Sequence, residues 1–405
     1  MKNNAPFKTA DILIPKEQLE KWAVIACDQF TSNDDYWDKT EEFVGDANST
    51  LRITFPEIYL EKVDNQTKIN EINSCMVDYL NKEIFNEYKD SMIYIERTQP
   101  DGRIRQGIVG AVDLEAYVYQ KGSKKLIRAT EGTIIERIPP RVKIRKDASL
   151  ESPHIILLID DIDKKIIEPL AQNKHKMTKI YDFDLMMGGG HICGYLIDSN
   201  NVERIISEFE NICQSSENPL LFAVGDGNHS LATAKECYEL SKSQNKDTTL
   251  SRYALAEIEN IHSEALDFEP IYRVMFSVDV ENVIKEMNEY FRTETANSVI
   301  KYFYGKKEGS VNVNIPSDKL STGVIQEFID SYINKYPTTK LDYIHGIEHT
   351  KELAEKENTI GFIYDGISKD NFFEMVKATG SLPRKTFSMG ESMDKRYYLE
   401  CRKIK

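Results

Sequence analysis

The sequence contains no long hydrophobic run and no closely paired cysteines. No apolar stretch approaches the roughly 20 residues of a membrane-spanning helix, and the N-terminus lacks the apolar core of a signal peptide. The six cysteines are scattered, and none belongs to a Cys-x-x-Cys pair. We therefore expect a cytoplasmic protein with reduced thiols, without a disulfide framework or a zinc site.

An excess of positive charge is also missing. The chain carries 52 Lys and Arg against 66 Asp and Glu, which gives a net charge of −14. Nucleic acids and anionic lipids favour a basic surface, so we expect neither a nucleic-acid partner nor a membrane partner. A chain of 405 residues is long enough for two or three domains, or for one large domain with insertions. Its mixture of helix-like and strand-like segments predicts an α+β fold.

The most informative segment spans residues 219–240. Leu220 to Val224 is a short apolar run typical of a buried strand, and a helical pattern begins at His229. The glycines on either side of Asp226 permit a tight turn, and Asn228 is the expected N-cap. Because the start of a helix presents unpaired N–H groups, we expect an anion at this turn. The candidate side chains around it are Asp226, Asn228, His229 and Ser230.

This turn lacks the established nucleotide-binding signatures. Ser230 stands where a dinucleotide fingerprint requires its third glycine, and no Gly-Lys-Ser/Thr follows as in a P-loop. The sequence also lacks a nucleophile elbow and a Cys-His signature for covalent catalysis. Taken alone, Asp-Gly-Asn-His is equally consistent with a turn that caps an ordinary helix.

Positive charges alternate with apolar residues in two segments. The spacing predicts two strands, one carrying Arg103 and Arg105 on a single face and the other carrying Arg141, Lys143 and Arg145. Such a face is consistent with a solvated edge strand, but two of them in an acidic protein favour an anion site. Between them lies Glu131, a candidate catalytic base whose alternative role is charge balance.

Acidic residues follow another predicted strand, Ile155 to Ile159. Asp160 and Asp161 stand at its carboxyl end, where carboxylate oxygens suit Mg²⁺ and where a solvated turn is the alternative. The metal candidates are therefore Asp226, Asp160 and Asp161. His262, which follows a further apolar segment, is an additional candidate phosphate ligand.

The chain divides by composition into two regions. We expect a catalytic region over residues 1–275 and a C-terminal α/β region over residues 276–405. Residues 67–89 carry apolar groups at helical spacing, which predicts an amphipathic helix. A basic loop at 383–388 contains Arg384 and Lys385, and we expect it to reach the site built by the first region.

Together these features indicate phosphoryl transfer, a reaction that depends on positioning and on neutralising phosphate oxygens. Two other functions stay open. A metal-dependent phosphohydrolase acting on a small phosphate ester could use Asp226, His229, His191 and His262 as ligands. A non-enzymatic phosphoanion-binding protein would use the same helix start without turnover.

Several longer strings extend this interpretation. The motif at 224–230 resembles the one of the ParB/sulfiredoxin-like superfamily, which includes free-serine kinases, although Asn228 and Ser230 replace its His and Arg. The whole chain resembles a family long described only as a domain of unknown function. The strings that carry this resemblance are Ala-Cys-Asp-Gln-Phe-Thr-Ser at 26–32, Arg-Ala-Thr-Glu-Gly-Thr at 128–133, Ile-Pro-Pro-Arg-Val-Lys-Ile-Arg at 138–145, Asp-Gly-Asn-His-Ser-Leu-Ala-Thr-Ala-Lys at 226–235 and Leu-Pro-Arg-Lys-Thr-Phe-Ser at 382–388.

The resemblance implies a ParB/sulfiredoxin-like core and a pyrophosphate-dependent serine kinase. Its substrates would be L-serine and pyrophosphate, its products O-phospho-L-serine and phosphate, and its pathway serine and cysteine metabolism. Magnesium would bridge the pyrophosphate. Asp226, His229 and Glu131 would act in catalysis, and the remaining polar candidates would bind phosphate oxygens. The altered motif is compatible with a phosphoryl donor other than a nucleotide.

Overall fold

A computed structural model describes residues 5–24, 34–59, 65–120, 122–132, 138–214, 216–390 and 394–405. The chain forms two compact units. Unit 1 comprises Met1–Leu266 together with Glu391–Lys405, and unit 2 comprises Asp267–Gly390. Helices and sheets occur in both, so the predicted α+β class is confirmed. Among the described residues, no helix is both long and apolar enough to cross a membrane.

Unit 1 is built on one large mixed sheet. Its strand order is β10-β11-β4-β5-β13-β9-β12-β7-β6, with β1 also paired to β5. The strands are β1 (Phe7–Lys8), β4 (Ile93–Thr98), β5 (Ile104–Asp113), β6 (Tyr117–Val118), β7 (Ile127–Ala129), β9 (Ile156–Ile159), β10 (Thr178–Asp184), β11 (His191–Leu196), β12 (Phe222–Asp226) and β13 (Tyr253–Asn260). Two small sheets pair β2 (Ala10–Pro15) with β3 (Phe85–Ser91), and β8 (Leu150–Glu151) with β20 (Arg402–Lys403).

Apolar side chains form two buried clusters in unit 1. One contains Trp22, Trp37 and Tyr397, and the other contains Phe7 and Phe222. The helices of this unit are α1 (Leu19–Trp22), α2 (Asp34–Val44), α3 (Asn65–Asn81), α4 (Ile138–Arg145), α5 (Glu168–Asn173), α6 (Ser199–Gln214) and α7 (Asn228–Ser243).

Unit 2 has its own sheet and its own core. The strand order is β16-β15-β18-β14-β17, and β19 pairs with β14. The core includes Val283, Ile325 and Phe362. The strands are β14 (Phe268–Phe276), β15 (Ser298–Tyr304), β16 (Lys307–Val313), β17 (Lys340–His345), β18 (Thr359–Ile363) and β19 (Phe387–Met389), and the helices are α8 (Val280–Tyr290), α9 (Ser321–Lys335), α10 (Ile347–Ala354) and α11 (Lys369–Thr379).

Strand directions in unit 1 determine which side chains meet. β12 runs parallel to β7, and Val224 lies opposite Ala129. β12 is antiparallel to β9, which in turn is parallel to β13. The carboxyl ends of β7 and β12 therefore lie at one end of the sheet, and those of β9 and β13 lie at the other.

Two local predictions were wrong. Residues 141–145 belong to helix α4 instead of a strand. Pro139 and Pro140 occupy its first turn, where a missing N–H costs little, and five alternating residues are too few to exclude a helix. The helix expected over 67–89 ends at Asn81, and Glu83 has a φ of +51° just before β3 begins at Phe85.

A buried cluster of charged side chains attaches the C-terminal segment to the main sheet. Arg105 donates to Glu259 at 2.7 Å and to the carbonyl of Asp394 at 2.9 Å. The Arg396 guanidinium lies 2.8 Å from Glu257. The full cluster contains three cations and three carboxylates: Arg97 on β4, Arg105 on β5, Glu257 and Glu259 on β13, and Arg396 and Glu400.

A glycine opposite this cluster leaves room for it. A Cβ atom on Gly107 would lie 2.3 Å from Glu257 Oε1 and 2.8 Å from its Cγ. We expect Gly107→Ala to lower the free energy of unfolding by about 1–3 kcal/mol, the usual cost of overpacking a core. Urea denaturation followed by circular dichroism measures this change. Gly132→Ala is the matched control, because the new methyl group would meet no atom within 4 Å. Equal stability of the two variants would contradict the prediction.

Candidate functional site

The predicted strand-turn-helix at Asp226 is present. β12 ends at Asp226, Gly227 adopts a φ of +79°, and α7 begins at Asn228. A Cβ on Gly227 would lie 3.0 Å from the Ile155 Cα, so a side chain there would be both strained and crowded. The glycine therefore allows the chain to turn directly from the strand end into the helix.

The Asp226 carboxylate contacts Gly227 and Lys395 and remains partly accessible to solvent. One oxygen accepts a hydrogen bond from the Gly227 N–H at 2.7 Å, and the other lies 3.1 Å from the Lys395 ammonium. The side chain is 27% exposed. Burial raises the pKa of Asp226, but Lys395, His154 and the Gly227 N–H together lower it by more, so the pKa lies below the usual 3.8. Asp226 is thus an ionised carboxylate at neutral pH.

A polar connection joins α7 to the end of β7. The Thr130 hydroxyl donates to the Val224 carbonyl at 2.6 Å and accepts from the Asn228 amide at 3.3 Å. The Thr130 N–H donates back to the side-chain Oδ1 of Asn228 at 3.3 Å. Asn228 was predicted as the N-cap; it is instead the first helical residue, and Gly227 is the N-cap.

Glu131 follows this connection by one residue. Since β7 and β12 are parallel neighbours, Glu131 continues β7 at the same end of the sheet as Asp226. The two candidate catalytic carboxylates are therefore brought to one region of unit 1. The string at 26–32 cannot be placed beside them, because residues 25–33 lie outside the described part of the chain.

His229 and Ser230 occupy the first turn of α7, and both are half-buried. Backbone N–H groups in the first turn of a helix have no partner within the helix, and they stand at the positive end of its dipole. The first turn of α7 thus meets the backbone requirement for an anion site beside the Asp226 carboxylate.

Two contributors to this site could not be read from the sequence. Lys395 is separated from Asp226 by 169 positions and reaches it only through the folding of the C-terminal segment. His154 precedes β9, and its Nδ1 lies 2.7 Å from the Tyr398 hydroxyl. Neither belongs to a motif around Asp226, and only the three-dimensional fold brings them there.

The predicted cradle of five cations on two strand faces is not formed. Arg105 is buried against Glu259, and Arg103 pairs with Asp101 at 2.5 Å. Arg145 on α4 pairs with the buried Glu151. Carboxylates thus neutralise these three cations, one of them, Glu259, distant in sequence from its partner. The other two, Arg141 and Lys143, also lie on α4, which packs against α7.

The three metal candidates do not share a site. Asp160 is hydrogen-bonded to His262 at 2.7 Å, where β9 and β13 end. Asp161 is buried and accepts from the Ile166 N–H at 2.7 Å, so it stabilises the following turn. Asp226 lies opposite Ile156, which precedes Asp160 by four residues on the same stretch of chain. Four residues of a strand span roughly 13 Å, and this distance separates Asp160 from the level of Asp226 in the sheet. His262 is therefore at the other end of the sheet from Asp226.

The ligand set considered for a phosphohydrolase is also separated. His191 lies on β11, and β4, β5, β13 and β9 stand between β11 and β12. At about 4.8 Å between neighbouring strands, five steps correspond to roughly 24 Å. Asp226, His229, His191 and His262 consequently cannot surround one ion in this fold.

Arg384 and Lys385 lie in unit 2. Their backbone carbonyls accept hydrogen bonds from the buried Arg273 at 2.8 and 2.7 Å. The Arg384 guanidinium stands 5.9 Å from the centre of the Tyr343 ring. Their participation in a phosphate site stays a prediction.

The charge environment of Asp226 leads to a pH-dependent prediction. The lowered pKa of this carboxyl stabilises the fold above pH 3.8, and this contribution is lost as the pH falls through the folded-state pKa. Lys395→Met should lower the free energy of unfolding by about 1–3 kcal/mol at neutral pH, the range for a hydrogen bond to a charged group. Its deficit relative to wild type should shrink below pH 3.8.

Chemical denaturation of both proteins across this pH range measures the deficit. Lys82→Met is the matched control, because Lys82 pairs with Asp78 at 2.7 Å on an exposed helix surface. The control should change stability little at any pH. A deficit for Lys395→Met that stays constant down to strongly acidic pH would contradict the assignment.

Solved structures show distant similarity in fold. A free serine kinase variant in complex with ADP has 11% identity and a TM-score of 0.39, covering 73% of this chain and 91% of the other. A conserved hypothetical protein from Pyrococcus furiosus has 12% identity and a TM-score of 0.36, with coverages of 71% and 92%. SbnI from Staphylococcus aureus has 11% identity and a TM-score of 0.37, with coverages of 70% and 82%.

Likenesses at this level carry no conclusion about the activity of this chain. No curated protein matches its sequence. One family model, described as a protein of unknown function (DUF1015), matches residues 5–401. This match spans nearly the whole sequence and confirms the resemblance drawn from the motif strings. The chain belongs to the DUF1015 family.

Proposed function

We propose that this protein is a pyrophosphate-dependent kinase of free L-serine. It would transfer one phosphoryl group from pyrophosphate to the serine hydroxyl, producing O-phospho-L-serine and phosphate for serine and cysteine metabolism in the cytoplasm. The motif strings at 128–133, 138–145 and 226–235 support this assignment through the family they resemble, which implies a pyrophosphate-dependent serine kinase. The altered positions Asn228 and Ser230 are compatible with a phosphoryl donor other than a nucleotide.

The observation that carries the proposal is the position of Asp226. Its ionised, partly exposed carboxylate stands immediately before the first turn of α7. A phosphoryl transferase requires both a carboxylate to orient the attacking hydroxyl and donors for the phosphate oxygens. These requirements are met here within five consecutive residues.

The reaction would proceed by direct displacement. The serine oxygen forms a bond to the terminal phosphorus, the bond to the bridging oxygen breaks, and the departing phosphate keeps that electron pair. Asp226 accepts a hydrogen bond from the serine hydroxyl and aligns it for attack. Asp226 and Glu131 are the two candidate acceptors for the proton of that hydroxyl. Backbone N–H groups of the first turn of α7, with the Asn228 and Ser230 side chains, bind phosphate oxygens. The His229 imidazole would hold the transferring group.

The donor atoms near this turn fit magnesium. Mg²⁺ is commonly held by one or two carboxylates together with phosphate oxygens and water. Asp226 and Glu131 lie at the same end of the sheet and would supply the carboxylates. When bound, the ion would neutralise charge on the pyrophosphate. Asp160 and Asp161 do not belong to this set, because they have their own partners at the opposite end.

Two cations on α4 are candidates for further neutralisation. Arg141 and the exposed Lys143 belong to the helix that packs on α7. In contrast, Arg105 is committed to Glu259 inside the core and is left out of the proposed phosphate site. Substitution of Lys143 should therefore affect the binding of pyrophosphate, whereas substitution of Arg105 should affect folding.

Asp226→Asn tests the proposed function. The amide keeps the size of the side chain but removes its negative charge, so we expect at least a hundredfold loss of turnover with the fold intact. Phosphorus NMR of the protein with L-serine, magnesium and pyrophosphate measures the formation of O-phosphoserine. Asp78→Asn is the matched control, since Asp78 also pairs with a lysine but lies on the exposed surface of α3. It should retain full activity.

The same spectra distinguish the alternatives when a parallel sample contains ATP. O-phosphoserine formed only with ATP would support L-serine as the acceptor and refute pyrophosphate as the donor. Release of phosphate without O-phosphoserine would favour a phosphohydrolase. Tight pyrophosphate binding without turnover in either sample would favour the phosphoanion-binding protein. Normal activity of Asp226→Asn would refute the role of this carboxylate.

A further inference from the structure

Four side chains of metal-binding types meet on one face of the β10–β11 pair. The antiparallel register places Asp182 opposite Cys193 and Asp184 opposite His191. Directly opposed residues, and residues two apart on a strand, point to the same face of a sheet. Phe183 and Ile192, the residues between them, pack with the apolar cluster of unit 1 that contains Trp22. The four polar side chains therefore project from the other face.

Three potential ligand atoms converge within this group. His191 Nε2 lies 2.6 Å from Asp182 Oδ1, and Cys193 Sγ lies 3.3 Å from the same oxygen. The ligand atoms of Asp182, His191 and Cys193 all lie within 4.8 Å of one another. In a tetrahedral zinc site with bonds of about 2.0–2.3 Å, ligand atoms are separated by about 3.3–3.7 Å. Side-chain adjustments of about 1 Å would suffice to admit an ion.

Asp184 holds the His191 ring through the nitrogen that does not face Asp182. Its Oδ1 lies 2.6 Å from His191 Nδ1, so the ring is held with Nε2 directed toward Asp182. A carboxylate on the second nitrogen of a metal-binding histidine orients the ring and increases its basicity. The remaining Asp182 oxygen pairs with Lys179, leaving Oδ1 as the shared oxygen of the group.

We propose that Asp182, His191 and Cys193 bind a zinc-like divalent cation, with Asp184 as the positioning residue. One thiolate, one imidazole and one carboxylate suit a borderline-soft ion, whereas Mg²⁺ avoids sulfur ligands. Asp182 and His191 are 37% and 35% exposed, so a water molecule can take the fourth position. The ion would join the edge strand β10 to β11 and stabilise this part of the sheet.

The site is independent of the proposed kinase chemistry. β11 stands five strand steps from β12, and none of the four residues is assigned to the reaction. The sequence predicted no zinc site because its cysteines form no Cys-x-x-Cys pair. Here the ligands come from two strands, and the glycine-rich turn at 188–190 allows their antiparallel pairing.

Cobalt binding to the full-length protein provides the test. After removal of metals by a chelator in the presence of a non-thiol reductant, Co²⁺ is titrated and the near-ultraviolet thiolate-to-cobalt band is recorded. We expect the band to saturate at one ion per chain and to disappear when Zn²⁺ displaces Co²⁺. Cys193→Ser should abolish the band, and Cys213→Ser on α6 should retain it as the matched control.

A second variant examines the positioning residue. Asp184→Asn should weaken Co²⁺ binding about 10–100-fold but keep the band at saturation, because the three ligands remain. Circular dichroism confirms that each variant is folded. Absence of the band in the wild-type protein, its persistence in Cys193→Ser, or its loss in Cys213→Ser would overturn the site. Unchanged affinity of Asp184→Asn would overturn the positioning role. Serine kinase activity enters none of these measurements.

Discussion

The ion-pair cluster between the main sheet and the C-terminal segment is the interaction on which the candidate site depends. Arginines and glutamates taken out of water are stable only when each charge has a close partner, and removing one partner typically costs about 3–5 kcal/mol. Here Arg105 holds the Asp394 carbonyl, and Arg396 holds Glu257. Lys395 lies between these two attached residues and is thereby brought to Asp226. The cluster therefore connects the packing of β4, β5 and β13 to the charge state of a carboxylate on β12.

The proposed catalytic turn is assembled by both local and long-range constraints. Gly227 and the parallel pairing of β7 with β12 bring Asp226, Thr130 and Asn228 together. These contacts orient the start of α7 without using the Asp226 side chain, which is left with the Gly227 N–H and Lys395. Because the contacts of Thr130 with Val224 and Asn228 do not involve this carboxylate, a change at Asp226 can alter chemistry while these contacts persist.

The sequence allowed the prediction of features that depend on near neighbours. Leu220 to Asn228 predicted a strand, a turn and a helix because apolar residues, glycines and helix formers follow one another directly. The prediction of a cationic cradle was wrong for two reasons. Glu259, the partner of Arg105, lies on a strand that only folding brings close, and Arg145 lies on a helix and pairs with the nearby Glu151. Lys395 was missed because only folding brings it close to Asp226. Helix α4 was missed because a five-residue alternation carries less information than the two prolines that begin it.

The charge state of Asp226 constrains its role in the proposed reaction. A carboxylate whose pKa is held below 3.8 is a weak base, so it cannot fully deprotonate a serine hydroxyl before attack. Phosphoryl transfer does not require that, because bond breaking to the leaving group is well advanced when the nucleophile approaches. The barrier is then lowered mainly by aligning the hydroxyl and by neutralising charge on the phosphate oxygens. The proton can leave late, to Glu131 or to the departing phosphate. The Lys395 contact that weakens Asp226 as a base also keeps it ionised, and hence able to accept the serine hydroxyl, throughout the neutral pH range.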